Sequence, residues 1–230
     1  ANEANQVLMP QNTQWTSSAD GRTYNWDSLP SCVAATYTRV QDVPNWSDFW
    51  DVDATTPHFS SIAWLSSAGI STGYPDGTFR PMADVVRQDM AAFIYRLCGE
   101  PEYTPSASDK ARFSDVTEST PHAKEIWWLA STGISTGYPD GTFRPLATVV
   151  RQDMAAFLHR TFAQFGDGSD KPASGSFPDV TADTPHAGDI RWLAANSIST
   201  GYPDGTFRPM ASVVRQDMAA FLKRIHDLGV

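Results

Sequence analysis

The sequence predicts a mainly α protein: three helical-hairpin repeats closed around a pseudo-threefold axis, with short extended pieces. Three observations predict it. The block Ile70-Ser71-Thr72-Gly73-Tyr74-Pro75-Asp76-Gly77-Thr78-Phe79-Arg80-Pro81 recurs verbatim from Ile134 and from Ile198, offset by 64 residues each time. The block Val85-Val86-Arg87-Gln88-Asp89-Met90-Ala91-Ala92-Phe93 recurs verbatim from Val149 and Val213. Apolar residues on either side of these blocks fall at helical spacing. A fixed period of this length marks a repeat architecture.

Within each copy the elements follow in order. Thr56 suits a helix N-cap and Pro57 the first helical position. Ile62, Leu65 and Ala68 continue at helical spacing, and Gly69 offers a left-handed stop. The third copy has Ser197 there, preceded by Asn196, so its stop is expected to shift by one residue. Gly73-Tyr74-Pro75-Asp76-Gly77 is a turn signal, because Pro fixes φ and Gly accepts conformations other residues avoid. Thr78-Phe79-Arg80 reads as a very short extended piece. A second helix runs from about Val85 to Leu97, with Val86, Met90, Phe93, Ile94 and Leu97 as its apolar stripe. Two short helices cannot bury both stripes alone. The hairpins either stack in a row or close on themselves. Closure is preferred, since none of the three is a polar capping repeat.

The repeats cover 49–98, 113–162 and 177–230. The stretches 99–112 and 163–176, rich in Pro, Ser, Gly, Asp and Lys, read as exposed linkers. Residues 1–48 form a lead-in packed on the first repeat. There the Asp20-Gly21 turn, between Gln14-Trp15-Thr16 and Arg22-Thr23-Tyr24, predicts a hairpin. Ala1 reads as the start of a processed or excised piece, and the third repeat as the end of the native protein.

Composition excludes several classes of function. The formal charge is −9 with no run of Lys or Arg, which argues against a nucleic-acid partner. No apolar stretch reaches 18 residues, so no membrane insertion is expected. Cys32 and Cys98 either form one bridge or stand as separate thiols. Neither belongs to a zinc-spaced cluster. There is no Gly-x-Ser-x-Gly nucleophile motif, and no cofactor is implied. Carboxylates are plentiful enough that spacing alone does not remove a glycosidase-like pair.

The residues resemble a known family. Gly-Tyr-Pro-Asp-Gly-Thr-Phe-Arg-Pro followed by an Arg-containing helix start, preceded by Asp-Val, His and Leu-x-x-x-Gly-Ile elements (Leu65 to Ile70, Leu129 to Ile134), is similar to the S-layer homology domain. The resemblance runs from 49 to about 226 in three tandem copies. It implies a three-pronged, pseudo-trimeric helical fold with grooves between neighbouring repeats. It implies a bacterial, extracellular, wall-associated setting and a ligand, secondary cell-wall polysaccharide, often carrying pyruvate ketals. Two elements depart from the family pattern. The usual Thr-Arg-Ala-Glu is Val86-Arg87-Gln88-Asp89 here, so the N-cap is expected to move to Asp84, Thr148 and Ser212. The usual His-Trp pair is broken by Phe59, Ala123 and Ala187.

The candidate site starts from Arg87, Arg151 and Arg215. With caps at 84, 148 and 212, each lies in a first helical turn, where a cation opposes the helix dipole. A ligand carboxylate would relieve that conflict, gripped by free backbone N–H groups and the guanidinium fork. The competing reading is an ion pair with Asp51, Asp115 or Asp179 of a neighbouring repeat. Over 70–93 only positions 82 and 84 vary among copies. The invariant polar set includes Gln88, Gln152 and Gln216, and core packing alone does not require identical polar residues. Trp64, Trp128 and Trp192 either stack on sugar rings or fill the core beside Leu65, Leu129 and Leu193. Tyr74, Tyr138 and Tyr202 line the groove or buttress the turn. Gly73, Gly137 and Gly201 allow close approach by ligand or by chain. Asp76 and Arg80 are expected to pair across the turn. His58, His122 and His186 are expected to bond nearby backbone or carboxylates rather than a metal. The function this predicts is non-catalytic anchoring of a surface protein to acidic cell-wall polysaccharide by a monomer with internal pseudo-threefold symmetry. Two alternatives stay open: a structural or protein-interaction module, and a fragment of a wall-acting glycoside hydrolase.

Overall fold

A computed structural model describes residues 14–16, 23–25 and 48–230. β1 (Gln14–Thr16) pairs antiparallel with β2 (Thr23–Asn25), with Trp15 opposite Tyr24. The pairing joins the two segments the sequence sets on either side of Asp20-Gly21, one residue later in the second than expected; the turn itself lies outside the described residues. The expected packing of the lead-in on the first repeat, and Cys32, lie outside the described residues. Cys98 is a free thiol, pushed up to about 12 by burial.

The chain divides into two compact units, Ala1–Pro81 and Met82–Val230. In the first, α1 (Phe59–Ser67) buries Ile62 and Leu65. The Asp51 carboxylate accepts the consecutive N–H groups of Phe79 (2.7 Å) and Arg80 (2.8 Å). That clamp rolls the chain into a left-handed residue, Arg80 at φ 58°, so 78–80 is not the extended piece the sequence suggests.

The second unit holds α2 (Arg87–Leu97), α3 (Ala107–Lys110), α4 (Ala123–Ser131), α5 (Arg151–Phe165), α6 (Ala187–Ala195) and α7 (Arg215–Leu228). α2 packs on α4, and α5 on α6. Each of these pairs joins the second helix of one repeat to the first helix of the next. The partner for an apolar stripe therefore comes from a neighbouring copy. Ile94, Ile126, Leu129, Leu158, Ile190 and Leu193 are fully buried in these helices. Burial of each side chain of this kind contributes about 1.5–3 kcal/mol.

Closure is visible in a ring of three backbone hydrogen bonds. Val85 N–H donates to Val213 O (2.9 Å), Val213 N–H to Val149 O (2.9 Å), and Val149 N–H to Val85 O (2.8 Å). All three valines are buried. The short extended pieces lie here, as isolated bridges Asp84–Val214, Val86–Thr148 and Val150–Ser212. Bridging occupies positions 84, 148 and 212, which is why they do not cap the helices as the sequence suggests. The N-caps are instead Val86, Val150 and Val214, extended and without a side-chain hydrogen bond.

The first helices also start later than the sequence indicates. Their N-caps are His58, His122 and His186, each left-handed at φ 60–61°. Thr120 and Thr184 close the preceding turn instead, accepting the N–H groups of Thr117 and Thr181 at 2.9 Å. The third copy ends without the expected shift. Ser197 itself adopts φ 57°, and the Asn196 side chain donates to Trp192 O at 2.9 Å.

Candidate functional site

Arg87 and Arg151 are the first residues of α2 and α5. Their helix starts are not free to bind an anion through the backbone. Arg87 N–H donates to Ala147 O (3.0 Å) and Gln88 N–H to Pro145 O (2.9 Å). Arg151 and Gln152 repeat this with Ala211 O (3.0 Å) and Pro209 O (2.9 Å). The backbone part of the expected grip is thereby corrected: the next repeat's turn takes those donors. The guanidinium groups remain.

Arg87 is 5% exposed and Arg151 is 4% exposed. Arg87 Nε donates to Phe143 O at 2.7 Å, and Arg151 Nε donates to Phe207 O at 2.6 Å. The competing ion pair is not formed. Among the described residues no carboxylate lies within 4.0 Å of either guanidinium. Asp115 is instead occupied by Phe143 N–H (2.8 Å) and Arg144 N–H (2.7 Å), and Asp179 by Phe207 N–H (2.8 Å) and Arg208 N–H (2.6 Å). Burial works against the charge on Arg87 and Arg151 and lowers the proton affinity of both. A guanidinium nevertheless stays protonated in a protein. The result is a desolvated cation whose Nε donates to a carbonyl and which no carboxylate pairs directly, although Asp153 beside Arg87 and Asp217 beside Arg151 stabilise the charge from a distance.

A groove of about 210 Å³ opens beside Arg87. It is walled by the turn Ser135-Thr136-Gly137-Tyr138, by Asp153 and Arg160 of α5, and by His186. Ser135 Oγ accepts Gly137 N–H at 3.4 Å, which shapes the turn toward the cation. Tyr138 carries Arg87 at 4.9 Å and Arg144 at 3.9 Å from its ring centroid. Arg160 Nη1 donates to Ile134 O at 3.2 Å, tying α5 to the turn. The same parts recur around Arg151. Its Nη2 reaches Ser199 Oγ at 3.4 Å, Tyr202 lies 4.9 Å away, and Arg224 donates to Ile198 O at 2.8 Å. Arg215 is equally buried and lies 5.5 Å from the Phe93 centroid.

Of the sequence candidates, Arg87, Gly137 and Tyr138 meet in the Arg87 groove. Gly137, at φ 71°, is needed because a Cβ there would stand 2.4 Å from Phe113 Cε1 and 2.8 Å from Thr142 O. Gly73 meets Phe49 at 2.4 Å, and Gly201 meets Phe177 at 2.7 Å, in the same way. Tyr74 sits under Arg80 at 3.8 Å, and Asp76 pairs with Arg80 at 2.9 Å as expected. Asp115 and Asp179 hold their turns through the backbone. Gln88 lines a separate depression of about 540 Å³ with Asp115, Arg144 and Leu146. Gln152 and Gln216 are buried, and Trp64 is half-buried on α1.

Trp128 and Trp192 are core residues. Trp128 packs edge-on to Tyr95 at 5.1 Å. Trp192 is 1% exposed, stacks on His159 at 4.5 Å and donates Nε1 to Asp170 at 2.6 Å. Neither ring offers a face to a sugar.

Sequence reasoning missed Asp153, Arg160 and His186 as groove residues. Arg160 had a signal: Arg96, Arg160 and Arg224 recur at the repeat offset just beyond the verbatim block. His186 bonds Asp189 through Nδ1 at 3.1 Å, as expected for that histidine, yet it also lines the groove. Among the described residues no group of His, Cys, Asp and Glu could hold a metal ion, and no helix is long and apolar enough to cross a membrane.

Comparison with known proteins agrees with this architecture. The S-layer homology domain family matches at residues 48–91, 112–155 and 176–219, together more than half of the chain. The cellulosome-anchoring protein of Acetivibrio thermocellus is 29% identical over 165 residues, covering 68% of this chain and 35% of that protein. Cell surface glycoprotein 1 of the same organism is 31% identical over 163 residues, covering 68% of this chain and 7% of that protein. The chain thus spans about a third or less of the length of these relatives. The three tandem matches cover more than half of the chain, and it belongs to the S-layer homology domain family.

Proposed function

We propose that the chain binds an acidic polysaccharide of the bacterial cell wall in grooves of the Arg87 type. It thereby holds a larger surface protein on the envelope without catalysing a reaction. One observation carries this reading: Arg87 is buried, donates through Nε to a backbone carbonyl, and faces a groove in which no carboxylate pairs with it directly, Asp153 in the wall lying beyond ion-pair distance. A ligand carboxylate, such as that of a pyruvate ketal, supplies the missing charge. Charge-assisted hydrogen bonds to it are each worth about 1.5–3 kcal/mol. The turn Ser135–Tyr138 and the Arg160 side chain complete a pocket sized for one acidic sugar substituent. The groove parts recur at Arg151, so a polymer with repeating acidic units is held at more than one point. Linked weak sites gain avidity of about 10²–10⁴-fold. We read the chain as acting as a monomer, a reading supported by the ring of Val85, Val149 and Val213 that closes within one chain. An anchoring-protein relative supports the reading.

The test is co-sedimentation with purified wall sacculi. Wild-type protein should pellet with them, and mild-acid removal of ketal-linked pyruvate should abolish pelleting. Arg87→Met combined with Arg151→Met, folded by circular dichroism, should weaken pelleting at least tenfold. Undiminished pelleting of that variant would falsify the groove assignment. Release of reducing sugar from the walls would favour a hydrolase.

A further inference from the structure

The Arg87 groove contains a titratable group that the anchoring reading does not use. His186 caps α6 in a left-handed conformation, lines the groove and leaves 31% of its side chain exposed. Its Nδ1 faces Asp189 Oδ2 at 3.1 Å. Asp189 Oδ1 is in turn bonded to His159 Nδ1 at 2.6 Å, and His159 is stacked on Trp192. Asp189 thus orients both imidazoles by accepting an Nδ1–H from each. Burial would raise the Asp189 carboxyl, yet the hydrogen bonds from His186 and His159 hold it below the usual carboxylate range.

With Nδ1–H committed to Asp189, neutral His186 presents a bare Nε2 lone pair to its surroundings. The Asp153 carboxylate stands 4.0 Å from Nε2, too far for a hydrogen bond. Protonation therefore changes one wall of the groove from an acceptor to a cationic donor. The other charged groups facing this space are Arg87 of α2, and Asp153 and Arg160 of α5, with Tyr138 on the turn. Asp153 opposes an anionic ligand, and imidazolium at 186 offsets it.

The arrangement belongs to one junction. The counterparts of His159 are Tyr95 and Lys223, and those of Asp189 are Ser61 and Glu125. At His122 the carboxylate partner, Glu125, stands off at 3.8 Å. Only the Arg87 groove has a wall histidine held by a carboxylate that a second histidine also holds, among the described residues.

We propose that His186 is a ligand-contacting residue of the Arg87 groove, and that its imidazolium form, oriented by Asp189, strengthens binding of a carboxylate ligand as the medium turns acidic. This rests on the anion-binding reading given above. Linkage fixes the sign. A carboxylate that binds better to protonated His186 must raise the midpoint of His186 by the corresponding amount. A threefold tighter complex at acid pH corresponds to about half a pH unit.

The probe is a methyl glycoside carrying a 4,6-linked pyruvate ketal, added to the full chain. Ring NMR signals of His186 and His226 are titrated with and without it, while amide shifts of Ser135 to Tyr138 report groove occupancy. The His186 midpoint should rise by about half a unit or more, with His226, on the exposed end of α7, unchanged. His186→Gln should bind the probe at pH 5.5 no more tightly than at pH 8. If the turn amides respond but the His186 midpoint does not move, this inference fails while the anion-binding groove stands. If neither responds at any pH, both fail. Should His186→Gln disturb the α6 start, Asp189→Asn gives the second readout: it should shrink the midpoint change with the turn amides still responding, and an unchanged response would overturn the role given to Asp189.

Discussion

Arg87 is bound to Phe143 twice over: its Nε donates to the Phe143 carbonyl at 2.7 Å, and its guanidinium carbon lies 4.6 Å from the Phe143 ring centroid. Backbone and ring of one residue in the next repeat thus fix a cation at the head of α2. Arg151 is held by Phe207 in the same way, at 2.6 Å and 4.5 Å. The interaction orients the charge and leaves it without a directly paired carboxylate. Structure and binding are therefore joined at this residue, and the predictions separate them.

Arg87→Lys keeps the charge and loses the fork. A lysine has no Nε–H to give Phe143 O while aiming a second donor into the groove. The variant should lose about 1–3 kcal/mol of stability from the orphaned carbonyl. It should bind wall polysaccharide more weakly than wild type by roughly tenfold. Urea unfolding and sacculus pelleting measure the two losses separately.

Asp115→Ala removes the acceptor for two consecutive N–H groups and frees Arg144 from its left-handed conformation. A loss of about 2–4 kcal/mol is expected, since each hydrogen bond to a charged group contributes about 1.5–3 kcal/mol and water recovers part of it. Asp115→Asn, which keeps an acceptor for one N–H, should lose about half as much. Equal losses for the two variants would contradict the clamp.

Gly137 and Gly141 are both left-handed, at φ 71° and 77°, but only Gly137 is crowded. Gly141→Ala should cost about 1–2 kcal/mol, the left-handed penalty alone. Gly137→Ala should cost more than twice that, because Phe113 and Thr142 O must move. Thermal unfolding of the pair distinguishes strain from crowding.

Acid should loosen the turns before it affects the core. Hydrogen bonds from Thr142, then Arg144, hold the Asp140 carboxyl at about 2, below the usual carboxylate range. Asp76 is held at about 2 by Thr78 and Arg80. The folded-state value lies below the unfolded one, so this stabilisation is complete above roughly pH 4 and is lost as pH falls toward 2. Asp140→Asn should flatten the stability–pH curve across that window, lowering stability near neutrality and approaching wild type near pH 2, as followed by denaturant midpoints at stepped pH.

Trp192→Phe tests whether the tryptophans that recur at the repeat offset touch sugar. The indole donates to Asp170 and is buried, so the variant should be destabilised by about 1–3 kcal/mol, with the Asp170 carboxylate left unpaired. Wall binding by the folded fraction should be unchanged.

Much of this was legible in the chain because the repeat period states its own architecture. Verbatim recurrence through Phe93, Phe157 and Phe221 announced three equivalent units, and closure followed from the absence of a capping copy. The Arg candidates were legible because a cation at a helix start conflicts with the dipole. What sequence could not give was who takes the helix-start N–H groups. Val86 looks like a poor cap, and residues 84, 148 and 212 look like good ones. Their strand-like bridging is a contact between copies, which no local propensity encodes. The turn-holding role of Asp115 was not legible for a related reason: its partners, Phe143 and Arg144, lie 28 and 29 residues away and are backbone groups. The Trp192 reading was ambiguous because an aromatic at helical spacing beside a leucine fits core and platform alike. His186 looked purely local, since its tie to Asp189 is three residues long, whereas the groove it borders is built by two other repeats.

The most direct measurement is a crystal structure of the chain with a wall-derived acidic oligosaccharide. The account predicts a ligand carboxylate oxygen within hydrogen-bonding distance of a terminal nitrogen of Arg87, lying against Ser135 to Tyr138. An oligosaccharide bound elsewhere, with the Arg87 groove empty and its guanidinium unmoved, would contradict it.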